Sequence, residues 1–173
     1  MNAAFGPAAD QVWGDAILTR TPLRAIESHA LEPHGAVTGA QALRATFTGQ
    51  GREVTVISTH LQPGAGGTDD IVEQAAELAD LMTAARRDGG VVVAGGDLNL
   101  TPGSNAWAKL TATGFDDALA AARPLYSARA EDPDEEIDHV LVTPGAVAED
   151  PGVLATLLSD HLPVVVALRF AAT

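Results

Sequence analysis

The sequence predicts a mixed α/β (α+β) fold built on a sheet with antiparallel and parallel neighbours. Three observations lead there. Two β-type runs flank Gly49-Gln50-Gly51, as a hairpin requires. A single long amphipathic helix follows them. Short β-branched runs such as Val91-Val92-Val93 are bounded by glycines, as buried strands are.

Taken in order, Val12 to Leu18 is a short apolar strand. It stops at Thr19-Arg20-Thr21-Pro22, because Pro22 forces Thr21 into an extended conformation. Residues 41–48 alternate and pair across the Gly49–Gly51 turn with Arg52 to Ser58. Pro63 to Gly67 is a Pro/Gly loop. Asp69 and Asp70 then supply an N-cap and a negative first turn. Ile71, Ala75, Leu78, Ala79 and Met82 fall on one face at helical period. Arg86 and Arg87 suit the C-terminal end, and Gly89-Gly90 ends the helix. Val91 to Ala94 is a buried strand. A short helix runs from Ser104 to Thr113 with Gly114 as its stop, and Ala118 to Ala122 is a helical turn. Residues 123–136 form a polar loop. Ile137 to Val142 and Leu162 to Phe170 are strands. Nothing marks a repeat or a linker, so residues 1–173 are expected to form one domain.

The formal net charge is -13, with one lysine and nine other cations that are all arginine. Such a surface disfavours nucleic acid as a partner, because polyanions are repelled. Arg far above Lys, with abundant Ala, Gly and Val, is the composition of a GC-rich bacterial genome. The chain has no cysteine, which excludes disulfides, thiolate catalysis and Cys-ligated zinc. No run reaches the ~18 apolar residues of a membrane span. The first residues lack the basic start and apolar region of a signal peptide. Compartment is left open, cytoplasmic or extracytoplasmic.

Four places carry the residue types of phosphate and metal chemistry. They are Thr59-His60-Leu61, Gly96-Asp97-Leu98-Asn99 with Pro102, Ile137-Asp138-His139-Val140, and Ser159-Asp160-His161-Leu162-Pro163. Each has an ordinary structural alternative. A strand-end His is commonly solvated, and Gly-Asp-x-Asn can be a plain Asx turn. Asp138 is the most informative, since a carboxylate in an apolar strand is costly unless paired or metal-bound. His139 should point to the opposite side by alternation and is read as structural.

Taken together and in order, T-H-L, G-D-x-N-x-x-P, I-D-H-V and S-D-H-L-P resemble the endonuclease/exonuclease/phosphatase superfamily, the deoxyribonuclease I-like metal-dependent phosphohydrolases. Trp13-Gly14-Asp15-Ala16-Ile17-Leu18-Thr19-Arg20 is similar to that family's G-N-A-I-L-S-R segment, with Asp15 in place of Asn. A dinuclear metallophosphatase would need Gly-Asn-His followed by an acid and an early Asp-x-His, and neither occurs.

The resemblance implies a two-layer β-sandwich flanked by helices. It also implies that the family's first strands, with T-x-N and Q-E, have no counterpart here, so the chain corresponds to the C-terminal two-thirds of that domain. An uncovered sheet face, and with it marginal stability or self-association, is expected on that ground. By motif, Asp97 would orient or deprotonate the attacking water, and Asn99 would steady it and a phosphoryl oxygen. His161 would be base or phosphate contact. Asp138 would hydrogen-bond His60 and keep it protonated to stabilise the transition state. Asp160, with Asp97, would serve the metal, Mg2+ or Mn2+. The implied function is metal-dependent hydrolysis of a phosphoester substrate. The alternative is an inactive fragment or binding module of the same fold that lacks the metal-ligand Glu. With that Glu missing, this chain is expected to hydrolyse phosphoesters weakly or not at all.

Overall fold

The computed structural model describes residues 1–8, 12–33, 40–62, 68–87 and 90–171. Its strands are β1 (Asn2–Pro7), β2 (Gly14–Thr19), β3 (Arg24–Ala30), β4 (Gln41–Gly49), β5 (Arg52–Thr59), β6 (Val91–Asp97), β7 (Asp116–Asp117), β8 (Asp138–Val142), β9 (Ala146–Val153) and β10 (Val164–Phe170). The helices are α1 (Thr68–Arg87) and α2 (Asn105–Thr111), with a 3-10 turn at Ala120–Ala122. The predicted Pro63–Gly67 loop and Gly89 fall outside the described residues, as do the side chains of Asp69 and Asp70.

A six-stranded sheet of order β3-β4-β5-β6-β8-β7 forms the centre. β4 and β5 make the predicted hairpin, with Gly49 opposite Arg52. β5 and β6 are parallel, joined through α1, and β8 returns antiparallel to β6. Strand alternation sends Ala42, Ile57, Val92, Ala94 and Leu141 to one face, where they pack with Ile71, Ala75, Leu78 and Met82 of α1. That is the helix face the sequence predicts. α2 is capped by Ser104, whose side chain accepts from the Trp107 amide, and it adds Ala106 and Leu110 to the same core.

The other face carries two separate hairpins. β1-β2 covers Leu43 and Ala45 through Ala4 and Ile17. β9-β10 covers Val54 and Val142 through Ala146, Ala148, Val166 and Leu168. Val56, Val93 and Val140 on this face are only half-buried, whereas Val92 and Leu141 on the helix face are fully buried. The layers are therefore helices, central sheet and hairpins.

Four strands lie outside the predicted set. β1 (NAAFGP) carries a Gly-Pro end that masks a strand pattern, and β7 is two residues long. β3 is polar and almost wholly exposed, so it has no apolar alternation to read. β9 contains Glu149-Asp150-Pro151, and the β9–β10 register shifts between Val165 and Ala167. The segment 118–122 is shorter than predicted, as the 3-10 turn spans three residues. Among the described residues no helix is long and apolar enough to cross a membrane.

Candidate active site

Because β5 and β6 are parallel, they end on the same side of the sheet. β5 ends at Thr59, directly before His60, and β6 ends at Asp97. β8 is antiparallel and begins there, so Asp138 stands opposite Asp97 in the ladder. Glycine is required beside this corner. A Cβ at Gly96 (φ +145°) would lie 2.0 Å from the Thr59 carbonyl, and one at Gly95 would lie 2.6 Å from the His139 carbonyl. The two glycines thus let three strands close on one point.

The turn after β6 is tightly held. The Asn99 amide donates to Asp97 Oδ1 at 2.9 Å, and Asn99 Nδ2 donates to the Leu61 carbonyl at 2.8 Å. Leu61 N donates to the Asp97 carbonyl at 3.1 Å, and Leu98 N to the Ile137 carbonyl at 2.9 Å. Asn99 has φ +50°, the left-handed region that Asn tolerates better than most residues. One amide hydrogen and the carbonyl oxygen of Asn99 are left for a ligand.

His161 enters from the loop before β10. Its neighbours tie that loop to residues 127–130. Leu162 N donates to the Ser127 carbonyl at 2.7 Å, and Ala130 N to the Asp160 carbonyl at 2.8 Å. His161 Nδ1 donates to Asp138 Oδ2 at 2.8 Å, and the fully buried Ser127 hydroxyl donates to the same oxygen at 2.6 Å. His161 Nε2 stands 3.9 Å from Asp97 Oδ2. That is too long for a hydrogen bond, but it lets one water or phosphoryl oxygen touch both groups. His60 Nε2 lies 3.4 Å from Asp97 Oδ2 on the other side, with the Trp13 ring edge-on at 5.8 Å between centroids.

The electrostatics follow from this crowding. Burial raises the Asp97 pKa, and Asp138 adds to the rise; the Asn99 amide, His60 and His161 oppose it without cancelling it. Burial works against a charged His161, but the hydrogen bond and charge of Asp138 outweigh it, helped by Asp97 and Asp160, and its pKa is raised. Asp15, on β2, is raised by burial, against a hydrogen bond from Gln41 and the charge of His60.

The structure brings His60, Asp97, Asn99, Asp138 and His161 to one corner. Asp160 is at its exposed rim, hydrogen-bonded by the Ser159 hydroxyl. The expected His60–Asp138 hydrogen bond is not formed. Asp138 is paired with His161 and Ser127, and His60 sits against Asp97. Strand pairing explains the exchange: Asp97 continues β6, the parallel neighbour of the strand that delivers His60, whereas Asp138 faces the loop that carries His161. His139 points away from the corner and is buried, as alternation predicts. Sequence reasoning did not find Ser127, which lies in the polar loop 123–136 with no local pattern. It also gave no role to Trp13 or Asp15, although both lie in the quoted Trp13–Arg20 segment.

A cavity of about 440 Å³ lined by Asn99, Leu100, Thr101 and Ser104 opens on one side of the corner. Another of about 480 Å³, lined by Asp160, Leu157, Leu158 and Arg129, opens beside Asp160. A third, lined by Arg52, Arg86 and Phe170, lies at the opposite ends of β5 and β6 and contains no candidate residue. Among the described residues no three His, Asp or Glu side chains surround a common point as a metal ion needs. Asp97 is already engaged by the Asn99 amide and flanked by two imidazoles. The described residues do not by themselves fit a metal centre.

A sequence model of the Endonuclease/Exonuclease/phosphatase family matches residues 3–161. Among solved structures, an endonuclease/exonuclease/phosphatase from Bacteroides vulgatus is 21% identical, with a TM-score of 0.71 over 86% of this chain and 67% of that one. A mannosyl-6-phosphatase of Bacteroides thetaiotaomicron is 18% identical, with a TM-score of 0.71 over 90% of this chain and 70% of that one. The human Nocturnin catalytic domain with bound sulfate is 16% identical, with a TM-score of 0.72 over 98% of this chain and 72% of that one. At these identities the likeness is one of fold. Among curated proteins none matches the chain.

Proposed function

We infer function from one premise: the chain belongs to the endonuclease/exonuclease/phosphatase family. The reading is hydrolysis of a phosphoester by water attack. The observation that carries it is His161, held at Nδ1 by Asp138 and facing Asp97 with Nε2. A ring fixed at one nitrogen by a carboxylate presents the other, in a set orientation, to a reacting group.

In this reading water attacks phosphorus, a new P–O bond forms and the bond to the leaving oxygen breaks. Asp97 takes the water proton; burial makes it a stronger base than an ordinary carboxylate. His161, whose cationic form Asp138 favours, stabilises charge on the phosphoryl oxygens and gives its proton to the leaving oxygen. The Asp97 proton then returns to His161 through a water bridging the 3.9 Å gap. Asn99 steadies the water or a phosphoryl oxygen. His60 holds Asp97 in place, and the transition-state role expected for His60 with Asp138 passes to His161.

Enzymes of this family are in general divalent-metal dependent. Magnesium or manganese would neutralise phosphoryl charge; the family resemblance gives that role to Asp97 and Asp160, but Asp160 stands at the exposed rim of the corner. No step here is routed through the ion, since the described residues do not form its site. That same observation favours a second reading, a phosphate-binding module of the same fold. The net charge of -13 favours a small phosphoester over nucleic acid.

The test is hydrolysis of p-nitrophenyl phosphate and bis-p-nitrophenyl phosphate with magnesium, manganese or EDTA. Asp97→Ala is expected to lower the rate about 10²–10⁴-fold. No hydrolysis by the wild-type chain under any condition, with inorganic phosphate still bound, would favour the binding module.

A further inference from the structure

One buried histidine is left unused by the candidate site. His139 follows Asp138 in β8 and is fully buried on the helix side of the sheet. A buried imidazole must place both ring nitrogens. Arg123 Nη2 lies 2.9 Å from Nδ1, and the Leu100 carbonyl lies 2.8 Å from Nε2. A guanidinium can only donate, and a carbonyl can only accept. Nδ1 is therefore the acceptor, and the single ring proton sits on Nε2 and is donated to Leu100.

Arg123 is itself pinned. Its Nε donates to Asp117 Oδ2 and its Nη1 to Glu136 Oε1, both at 2.6 Å. Its guanidinium lies over the Trp107 ring, which also packs on His139 at 4.7 Å between centroids. Glu136 accepts from Leu125 N at 2.7 Å as well. The network thus reaches from β7 and the loop after it, across β8, to the carbonyl of Leu100.

Leu100 closes the turn that carries Asp97 and Asn99. Asn99 is in the left-handed region, and such a residue persists only where its surroundings over-determine it. On one side Leu61 and Ile137 hold the turn. On the Leu100 side the support is the His139 ring. We infer that His139 is a positioning residue: its Nε2–H, set by the Arg123 network, holds the Leu100 carbonyl and so aims Asp97 and Asn99 into the cleft. The kinetic part of the test below rests on the phosphoester reading; the exchange and spectroscopic parts do not.

His139→Phe keeps the ring volume against Trp107 and removes both polar atoms. His139→Gln keeps one donor and one acceptor. In the Phe variant, kcat for bis-p-nitrophenyl phosphate should fall about ten- to hundredfold with KM little changed, because the reacting groups are misaimed while binding is kept. Amide exchange in residues 97–101 should accelerate while β4 and α1 exchange as in wild type. The Gln variant should recover most of both. A Phe variant that exchanges and turns over like wild type overturns the inference, and so does a Gln variant as impaired as Phe. Should wild type show no turnover, the phosphoester reading fails and the exchange contrast decides alone. Should the Phe variant not fold, 15N NMR of the wild-type protein decides. The His139 ring must show a protonated Nε2 and a bare Nδ1, and any other state at neutral pH overturns the inference.

Discussion

Asp138→Asn isolates the charge that organises the candidate site. The side chain is 14% exposed and accepts from the Ser127 hydroxyl and His161 Nδ1 through one oxygen. Asparagine has the same shape and can present a carbonyl oxygen to both donors, so the fold should survive with little change in Tm. What is lost is the negative charge 2.8 Å from the imidazole. A hydrogen bond to a charged group contributes about 1.5–3 kcal/mol against about 0.5–1.5 for a neutral one, so the charge is worth about 1–1.5 kcal/mol. At 1.36 kcal/mol per tenfold, its loss should lower kcat/KM about five- to tenfold. The pH profile should move as well. Asp138 is the chief cause that raises the His161 pKa. A histidine needed as a cation works below its pKa, so lowering that pKa moves the loss of activity to lower pH. The assay is kcat/KM for bis-p-nitrophenyl phosphate against pH, with the His161 titration followed by NMR. A high-pH limb that stays where it was, or a His161 that titrates as in wild type, would refute the assignment of Asp138 as its partner.

Three further outcomes are expected. Gly96→Ala should prevent assembly of the corner, because the new methyl would meet the Thr59 carbonyl at 2.0 Å in a φ +145° backbone; soluble, natively folded protein with wild-type thermal stability would contradict this. Burial lowers the His139 pKa despite its bond to Leu100, so the unfolded chain binds this proton more readily. Its contribution to stability should be complete above an ordinary histidine pKa of about 6.5 and lost as pH falls through the folded value; wild type but not His139→Gln should show this component in urea unfolding. The half-buried Val56, Val93 and Val140 on the hairpin side of the sheet should make the protein self-associate as concentration rises, and a constant monomer mass in sedimentation across a hundredfold range would count against it.

The elements legible in the sequence are those in which side-chain period and burial agree. α1 shows its apolar face because one side of it meets the sheet and the other meets water. β4, β5 and β6 show alternation or β-branched runs because the helices cover one face of the central sheet and the hairpins cover part of the other. β3 and β9 were unreadable for the converse reason: their side chains are largely exposed, and what makes them strands is backbone pairing with β4 and β10. The candidate site was legible as a set of strand-end motifs, since Gly-Asp-x-Asn and Asp-His have few reasons to follow apolar runs. Ser127 and Arg123 were not, because a serine or arginine in a polar loop has no periodic signature and acquires its role only from the groups it reaches.

The sequence by itself determined the fold class and the family and singled out the side chains of the candidate site, because those depend on local pattern and on the identity of short motifs. Only the tertiary structure decided who pairs with whom. Asp138 finds His161, 23 positions away, and Asp97 meets His60, 37 positions away. His139 finds Arg123 and Leu100 on the far side of its own strand. The physical reason is that a hydrogen bond acts over about 3 Å. Which donor comes within that reach is set by sheet register, by the parallel placement of β5 and β6, and by glycines that admit close approach.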